Sequence, residues 1–159
     1  MKNSIKTIIL SIAVLLSSCS KDNPEPQQDD EKVFKVEVQY SGNIDKFEET
    51  LILQVASKKA SSMKIVEQEL GKESPSNDVA WFTKPIGPIK GNATYSTSEK
   101  ASIVTVAGVL TPIQMNEQGT ENVKATIKFY TDGQLKETKT VTATANVAST
   151  PFSFPVSAN

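Results

Sequence analysis

The side chains that could carry chemistry in this sequence are few in kind. All 17 basic residues are lysine, histidine is absent, and there is one cysteine. Without an imidazole base near neutral pH, catalytic sites of the Ser-His-Asp and Cys-His types are excluded. Histidine-ligated zinc, thiolate clusters and thiol redox pairs are excluded as well. A metal would have oxygen ligands alone, and we predict no metal site and no cofactor.

Paired carboxylates are the groups that remain for catalysis. Glu48 and Glu49 are adjacent, and Glu67 and Glu69 would share one face of a strand. Glycoside hydrolysis needs two such groups at a defined distance, one of them with a perturbed pKa. Because Glu67 and Glu69 are expected to face solvent, where nothing would raise a pKa, we predict that the protein is not an enzyme. A carboxylate-based glycan hydrolase stays as the third alternative.

Four aromatic residues are the candidate ligand-binding residues. Trp81, the only tryptophan, precedes Phe82 in a stretch with proline and glycine turns. Exposed rings on the loops of β-proteins can stack on sugars or anchor a protein partner. Adjacent residues of a strand point to opposite faces, so one of these two rings is expected to be exposed. Tyr95 and Tyr130 are candidate companions, and the alternative is that Trp81 belongs to the core.

The charge pattern argues against nucleic acid as a partner. The chain has no arginine, its lysines form no basic run, and its formal net charge is −1. Arginine is the side chain that most often pairs with phosphate and guanine, and affinity for nucleic acid rests largely on positive charge. We therefore predict no nucleic-acid partner.

Residues 1–18 have the three parts of a secretory signal peptide. Lys2 and Lys6 introduce an apolar run that ends at Leu16, and two small residues follow. A permanent membrane helix needs roughly 20 apolar residues, so this shorter segment is expected to be cleaved rather than to stay in the bilayer.

The sequence Leu16-Ser17-Ser18-Cys19 resembles the lipobox of bacterial lipoproteins. In that family the cysteine is lipidated on sulfur, the peptide is cut just before it, and the new amino group is usually acylated. The resemblance implies that Cys19 holds the protein to the lipid bilayer through palmitate-type chains, since each buried methylene contributes about 0.8 kcal/mol.

The chain is similar in this respect to small Gram-negative outer-membrane or surface lipoproteins with an all-β domain. The resemblance implies an outer-membrane, lipid-anchored protein. Surface lipoproteins of one Gram-negative phylum carry a lysine and two acidic residues just after the cysteine, whereas Lys21 is followed here by Asp22 and Asn23. Display at the cell surface and at the periplasmic face therefore both remain open.

Residues 19–32 are predicted to form a flexible tether after the lipidated cysteine. Beyond Cys19 they contain no apolar residue other than proline, so they cannot bury enough surface to offset the entropy of ordering. Within this segment, the run Asp29-Asp30-Glu31 is interpreted as solvated charge rather than as a calcium site.

Residues 33–159 alternate apolar and polar side chains with a period of two, which predicts β-strands. Asp132-Gly133 predicts a tight hairpin turn, and Pro151 and Pro155 place the last strand at a sheet edge. Residues 63–70 fit a strand or a helical turn, and residues 72–92 are expected to be mostly irregular. Strands are expected at 34–40 and 50–57, paired as a hairpin, and at 79–83, 93–97, 102–110, 123–129, 134–147 and 152–156.

This pattern predicts an all-β fold, a single antiparallel β-sandwich of immunoglobulin-like or transthyretin-like shape, with a closed barrel as the alternative. For function, we predict a membrane-anchored envelope lipoprotein that acts as a non-catalytic binding module. Its expected ligand is a glycan or an envelope protein that contacts residues near Trp81. The alternative function is a structural or assembly subunit of an envelope complex.

Overall fold

The computed structural model describes residues 31–59, 62–67, 72–75 and 80–159, with the backbone alone at 72–75 and 80. The predicted signal peptide, the lipobox with Cys19, and the tether up to Asp30 lie outside the described residues, as does Glu69. Within the described residues, no helix is long and apolar enough to cross a membrane.

The described residues form two antiparallel sheets and a 3-10 turn at Ile44–Lys46. In spatial order, the six-stranded sheet is β4, β3, β6, β1, β8, β9, and the four-stranded sheet is β10, β7, β2, β5. The strands are β1 Phe34–Gly42, β2 Phe47–Ala56, β3 Lys64–Glu67, β4 Lys72–Pro75, β5 Ala80–Pro88, β6 Ala93–Thr97, β7 Ile103–Pro112, β8 Asn122–Thr131, β9 Gln134–Thr144 and β10 Thr150–Ser157.

The two sheets stack as a sandwich, which confirms the predicted fold class. The apolar residues of alternating strands turn inward, as expected for half-buried strands. Each such side chain that leaves water contributes about 1.5–3 kcal/mol. The largest group of buried core residues includes Phe34, Val36, Val38, Leu51, Leu53, Val55, Ile65, Tyr95, Val104, Val106, Ile127 and Phe129.

The predicted hairpin between the first two strands is wrong. β1 pairs with β6 and β8, whereas β2 pairs with β5 and β7 in the other sheet. Asn43 anchors the crossing between the sheets, since its backbone N–H donates to the carbonyl of Asn122 at 2.7 Å. Both strands are apolar on one face only, and stacking buries those two faces against each other in a way that side-by-side pairing would not.

The predicted hairpin at Asp132-Gly133 is confirmed. It joins β8 to β9, and both residues have positive φ angles, 48° and 81°. A two-residue turn of this kind matches the twist of the strands on either side. The prediction that β10 is an edge strand, which rested on Pro151 and Pro155, is confirmed as well.

The expectation of an irregular segment over residues 72–92 is wrong. This stretch contains β4 and all of β5, which extends well past the short strand expected at 79–83. Pro85 and Pro88 lie within β5 and are tolerated because β5 is the edge strand of its sheet, with hydrogen-bonding groups open on one side. Residues 64–67, where a strand and a helical turn were both possible, form strand β3.

The folded domain includes two residues that were expected in the tether. Glu31 is 7% exposed and accepts a hydrogen bond from the backbone N–H of Lys58 at 2.7 Å. Lys32 exchanges two backbone hydrogen bonds with Ala101, at 2.9 and 2.7 Å. The interpretation of Glu31 as solvated charge is therefore wrong, because a backbone donor holds its carboxylate in the domain.

Candidate functional site

Strand β5 contributes side chains to two different surfaces of the sandwich. Its alternation sends Trp81 and Thr83 to the outer face of the four-stranded sheet, because their backbone partners Gln54 and Ile52 alternate with the buried residues of β2. Phe82 and Lys84 point the other way, toward the interior. One edge strand therefore carries both an external face and the rim of an internal cleft.

The external face presents one row of side chains that crosses all four strands. Trp81 is paired with Gln54, Gln54 with Thr105, and Thr105 with Pro155. Trp81 is 53% exposed. An aromatic ring, an amide and a hydroxyl thus follow one another at the spacing of neighbouring strands, about 4.8 Å.

This face carries almost no charge. Among its described residues on the four strands, Glu48 alone is ionisable, and Ile52, Ile103, Ala107 and Val109 contribute apolar surface. The outer face of the six-stranded sheet is different, since it carries lysines and glutamate at Lys35, Glu37, Lys64, Lys124 and Lys128. The outer faces of the two sheets therefore differ in charge.

The four candidate aromatic residues do not form one cluster. Phe82 and Tyr95 contact each other inside the sandwich, with ring centroids 5.4 Å apart, and Tyr95 is 1% exposed. Tyr130 lies on the outer face of the other sheet, where the Lys35 ammonium sits 4.1 Å from its ring centroid. Trp81 is the one of the four that presents an open ring on the four-stranded sheet.

Tyr130 belongs to a small polar group on its own sheet. Its hydroxyl donates to Glu37 at 3.0 Å, and Lys35 donates to the same carboxylate at 2.8 Å. The hydrogen bond from Lys35 is the main reason that the pKa of Glu37 lies below its usual value. Tyr130 is thus engaged with neighbours of its own surface and lies apart from Trp81.

On the interior side of β5, Lys84 forms an ion pair with a buried carboxylate, Glu49. Glu49 is 2% exposed, and it accepts hydrogen bonds from the Lys84 ammonium at 2.8 Å and from the Tyr40 hydroxyl. Burial, followed by the charge of Glu49 and its hydrogen bond, raises the pKa of Tyr40 far above its usual value. The hydroxyl of Tyr40 therefore stays protonated and acts as a donor.

Glu67 is also a buried carboxylate, and its expected position in solvent is wrong. It is 4% exposed because it shares the inward face of its strand with Ile65 and follows Met63 at the same spacing. The same parity places Glu49 in line with Leu51 and Leu53. The period-two alternation of the sequence already places Glu49 and Glu67 on the same strand face as their apolar neighbours, which was the signal for their burial.

A cleft of about 600 Å³ lies where β5 meets the loop that leads into β6. Glu67 and Lys84 line it, together with apolar side chains of β5 such as Phe82 and Ile86. Lys90 and Asn92 stand at the loop side, and the Asn92 amide oxygen accepts from the backbone N–H of Tyr40 at 2.9 Å. The cleft therefore combines one carboxylate, two lysines and an apolar wall.

The described residues contain no group of three or more carboxylate, histidine or cysteine side chains arranged to hold a metal ion. Glu49 is occupied by Lys84 and Tyr40, and the described geometry brings it no further acid.

Comparison with known proteins supports the fold and nothing finer. No protein-family model matches the sequence, and no curated protein matches it either. Solved structures do match. A domain of unknown function, DUF4425, from Bacteroides vulgatus has a TM-score of 0.59 at 19% identity, covering 80% of this chain and 95% of that one.

Two further structures resemble the chain. A DUF4425 family protein from Bacteroides ovatus also has a TM-score of 0.59, at 20% identity over 80% of this chain and 96% of that one. The calcium-bound form of a protein from Parabacteroides distasonis has a TM-score of 0.51 at 13% identity, over 77% of this chain and 92% of that one. At these identities, the likeness shows that the chain shares their sandwich fold.

Proposed function

We propose that the protein is a lipid-anchored envelope lipoprotein whose β-sandwich binds a neutral glycan, without catalysis, on the outer face of the four-stranded sheet. The observation that carries this proposal is the half-exposed ring of Trp81 on a face that is nearly free of charge. An aromatic ring offers the apolar face of a sugar a large surface to stack on. A face without charges favours a neutral polysaccharide over an acidic or basic partner.

The row across the sheet supports binding of more than one sugar unit. Thr105 stands two strands away from Trp81, about 10 Å, which is close to the length of two sugar rings. Gln54 lies between them, and neither its amide nor the Thr105 hydroxyl has a hydrogen bond to another described residue. The Gln54 amide and the Thr105 hydroxyl are thus available to form hydrogen bonds with the hydroxyl groups of a bound glycan.

The anchor of this proposal is Cys19. The residues between Cys19 and Glu31 span at most about 40 Å when fully extended. The chain enters the domain beside Ala101, at the end of the four-stranded sheet where β2 ends and β7 begins. Because the Trp81 row lies close to that end, the tether has to hold the domain away from the bilayer for a polysaccharide to reach it.

We propose no calcium site among the described residues. The neighbour from Parabacteroides distasonis was solved in a calcium-bound form. The described residues of this chain do not group three carboxylates, and the buried Glu49 is already paired with a lysine.

Glycan binding is tested by affinity electrophoresis of the mature protein in gels that contain β-glucan, mannan, xylan or dextran. We expect one of these polymers to retard the wild-type protein and Trp81→Ala to abolish the retardation. Leu135→Ala is the matched control, because Leu135 is 57% exposed but lies on the six-stranded sheet. Retardation that survives Trp81→Ala would contradict the proposed site.

The anchor is tested separately by labelling growing cells with an alkyne analogue of palmitate. Wild-type protein is expected to take up the label, and Cys19→Ala to remain unlabelled as an unprocessed precursor. Protease treatment of intact cells, with mass spectrometry of the released peptides, then distinguishes surface display from the periplasmic face. Label that persists in Cys19→Ala would contradict the lipoprotein assignment.

A further inference from the structure

The Trp81 row, which consists of Trp81, Gln54, Thr105 and Pro155, crosses the four-stranded sheet at right angles to its strands. Each member lies on a different strand, from Trp81 on the edge strand β5 to Pro155 on the opposite edge strand β10. Neighbouring strands are about 4.8 Å apart, so the row is about 14 Å long. One pyranose unit of an extended β-1,4-linked chain has nearly the length of one strand spacing. A chain laid along the row would therefore place about one sugar over each strand.

The surface around the row is uncharged and low. Residues two positions apart on a strand share a face, so the row has neighbours on both sides along β2, β7 and β10. None of these neighbours is longer than isoleucine, and they are Ile52, Ala107 and Ser153 on one side and Ala56 and Ile103 on the other. A flat ligand can therefore lie on this face without a long side chain that lifts it away from Gln54 and Thr105.

The linkage between its sugars decides whether a glycan can follow such a surface. Chains of β-1,4-linked glucose, mannose or xylose are extended and ribbon-like, so successive units can contact a flat sheet together. Chains of α-1,4-linked glucose curve into helices and leave a flat surface after a short contact. Chains with α-1,6 links have an additional rotatable bond in each unit, and ordering that bond costs entropy on binding.

We propose that the ligand of this face is an extended β-1,4-linked neutral glycan that crosses the four strands, with four successive sugars over the members of the Trp81 row. The inference rests on the proposed glycan-binding function, and it adds the linkage, the direction of the chain and the number of sugars that are bound. Trp81 stacks on the first sugar, and Gln54 and Thr105 form hydrogen bonds with the next two.

The alternative direction for the chain is along β5. A glycan in that direction would pass from Trp81 to Thr83, which points to the same outer face. Because β5 is the edge of its sheet, such a chain would have a neighbouring strand on one side only. A chain that crosses the sheet contacts all four strands, so the larger contact favours the crossing direction.

The linkage is tested by isothermal titration calorimetry of the mature protein with oligosaccharides of two to six sugars. Cello-, manno- and xylo-oligosaccharides are compared with malto-oligosaccharides of the same lengths. In one of the β-1,4-linked series, we expect the affinity to rise up to four sugars and then to level off. The tetrasaccharide of that series should bind at least about tenfold more tightly than maltotetraose. Equal binding of maltotetraose, or an affinity that stops rising at two sugars, overturns the inference.

Two matched variants test the direction of the chain. Thr105→Val removes a hydroxyl two strands away from Trp81, whereas Thr83→Val removes one next to Trp81 along β5. Valine has the shape of threonine and suits a strand, so both variants should fold. We expect Thr105→Val to weaken binding of the tetrasaccharide about fivefold, through the loss of one hydrogen bond, and to leave disaccharide binding unchanged. Thr83→Val should bind like the wild type.

Two results with these variants would overturn the crossing direction. One is tetrasaccharide binding that is weakened by Thr83→Val and unchanged by Thr105→Val, since the chain would then follow β5. The other is Thr105→Val that binds every oligosaccharide like the wild type. The comparison of linkages needs the wild-type protein alone, so it decides the inference even if a threonine variant does not fold.

Failure of this inference can be distinguished from failure of the proposed function. If maltotetraose or dextran binds as well as the β-1,4-linked ligands and Trp81→Ala abolishes that binding, the face binds glycans but the inferred linkage is wrong. If no oligosaccharide and no polymer binds, the proposed glycan-binding function fails, and the inference fails with it.

Discussion

The Lys84 ammonium and the Glu49 carboxylate lie 2.8 Å apart across the β2–β5 pair, at a bulge where the register shifts between Glu49 and Leu51. The Glu49 side chain is 2% exposed and that of Lys84 is 22% exposed. Tyr40, which belongs to the other sheet, donates its hydroxyl to the same carboxylate. Glu49 therefore joins the edge strand to its own sheet and the two sheets to each other.

Removal of the lysine from this pair is expected to be costly. Lys84→Met would leave the Glu49 carboxylate buried with the Tyr40 hydroxyl as its remaining described donor. We expect the free energy of unfolding to fall by about 3 kcal/mol, the cost of breaking a buried ion pair from one side. Urea unfolding followed by far-UV circular dichroism measures it.

The control for this variant is Lys46→Met. Lys46 pairs with Asp45 at 3.2 Å, but both side chains are more than half exposed. Exposed pairs of this kind contribute less than about 1 kcal/mol. If the free energy of unfolding falls equally in the two variants, burial does not make the Glu49–Lys84 ion pair more important for stability than an exposed pair.

Alkaline pH is expected to destabilise the fold through Tyr40. Burial is the main cause that raises the pKa of this hydroxyl above its usual value of 10.0. Above about pH 10, the folded state keeps the proton of the Tyr40 hydroxyl, whereas the unfolded chain releases it. The contribution of Tyr40 to stability is therefore complete below about pH 10 and is lost as pH rises further, by at most about 1.4 kcal/mol per pH unit.

Tyr40→Phe isolates this contribution, because it removes the titrating group and keeps the ring. The free energy of unfolding, measured from pH 9 to 11, should fall less steeply in Tyr40→Phe than in the wild-type protein. Lysine deprotonation affects both proteins alike, so the difference between the two slopes belongs to Tyr40. Parallel slopes would contradict the assignment.

Neighbouring aromatic residues on β5 are expected to differ sharply in their effect on stability. Phe82 packs against the core and contacts Tyr95, so Phe82→Ala should cost about 3 kcal/mol. Trp81 is more than half exposed, and Trp81→Ala should change stability by less than about 1 kcal/mol. Thermal and urea unfolding of the two variants measure this contrast, and similar losses would mean that Trp81 is a core residue.

Two glycines of the four-stranded sheet provide a packing test. A Cβ atom on Gly108 would lie 2.3 Å from the Thr50 carbonyl oxygen and 2.8 Å from Cζ of Phe152, whereas one on Gly87 would meet nothing within 4 Å. Gly108→Ala is expected to lower the free energy of unfolding by about 2 kcal/mol or more, since the backbone has to shift. Gly87→Ala should leave the free energy of unfolding almost unchanged. The Tm of each variant measures the difference, and equal Tm values would contradict the prediction.

The strands that the sequence predicts best are those with strict alternation over many residues. β1 alternates over residues 34–39 and β8 over residues 122–129, and the Asp132-Gly133 turn requires positive φ angles that few other residue pairs adopt so readily. The segment that contains β5 was missed because prolines and glycines usually interrupt strands. Its position at the sheet edge, which local sequence does not record, is what permits Pro85 and Pro88.

For the candidate site too, local sequence predicted one feature and the pairing of strands decided another. The adjacency of Trp81 and Phe82 already implied that one ring would be exposed, because strand residues alternate between faces. Which of the two is exposed depends on the pairing of β5 with β2, which sets Phe82 against Leu53 and Trp81 against Gln54. Sequence adjacency carries no information on that pairing.

By itself, the sequence determined the all-β class, the alternation within each strand and the absence of histidine and arginine chemistry, because these follow from residue types and local periodicity. The tertiary structure alone decided that β1 and β2 lie in different sheets, that Glu49 meets Lys84 and Tyr40, and that a cleft opens beside Glu67. These features depend on contacts between residues far apart in the chain, and such contacts are set by how the two sheets stack.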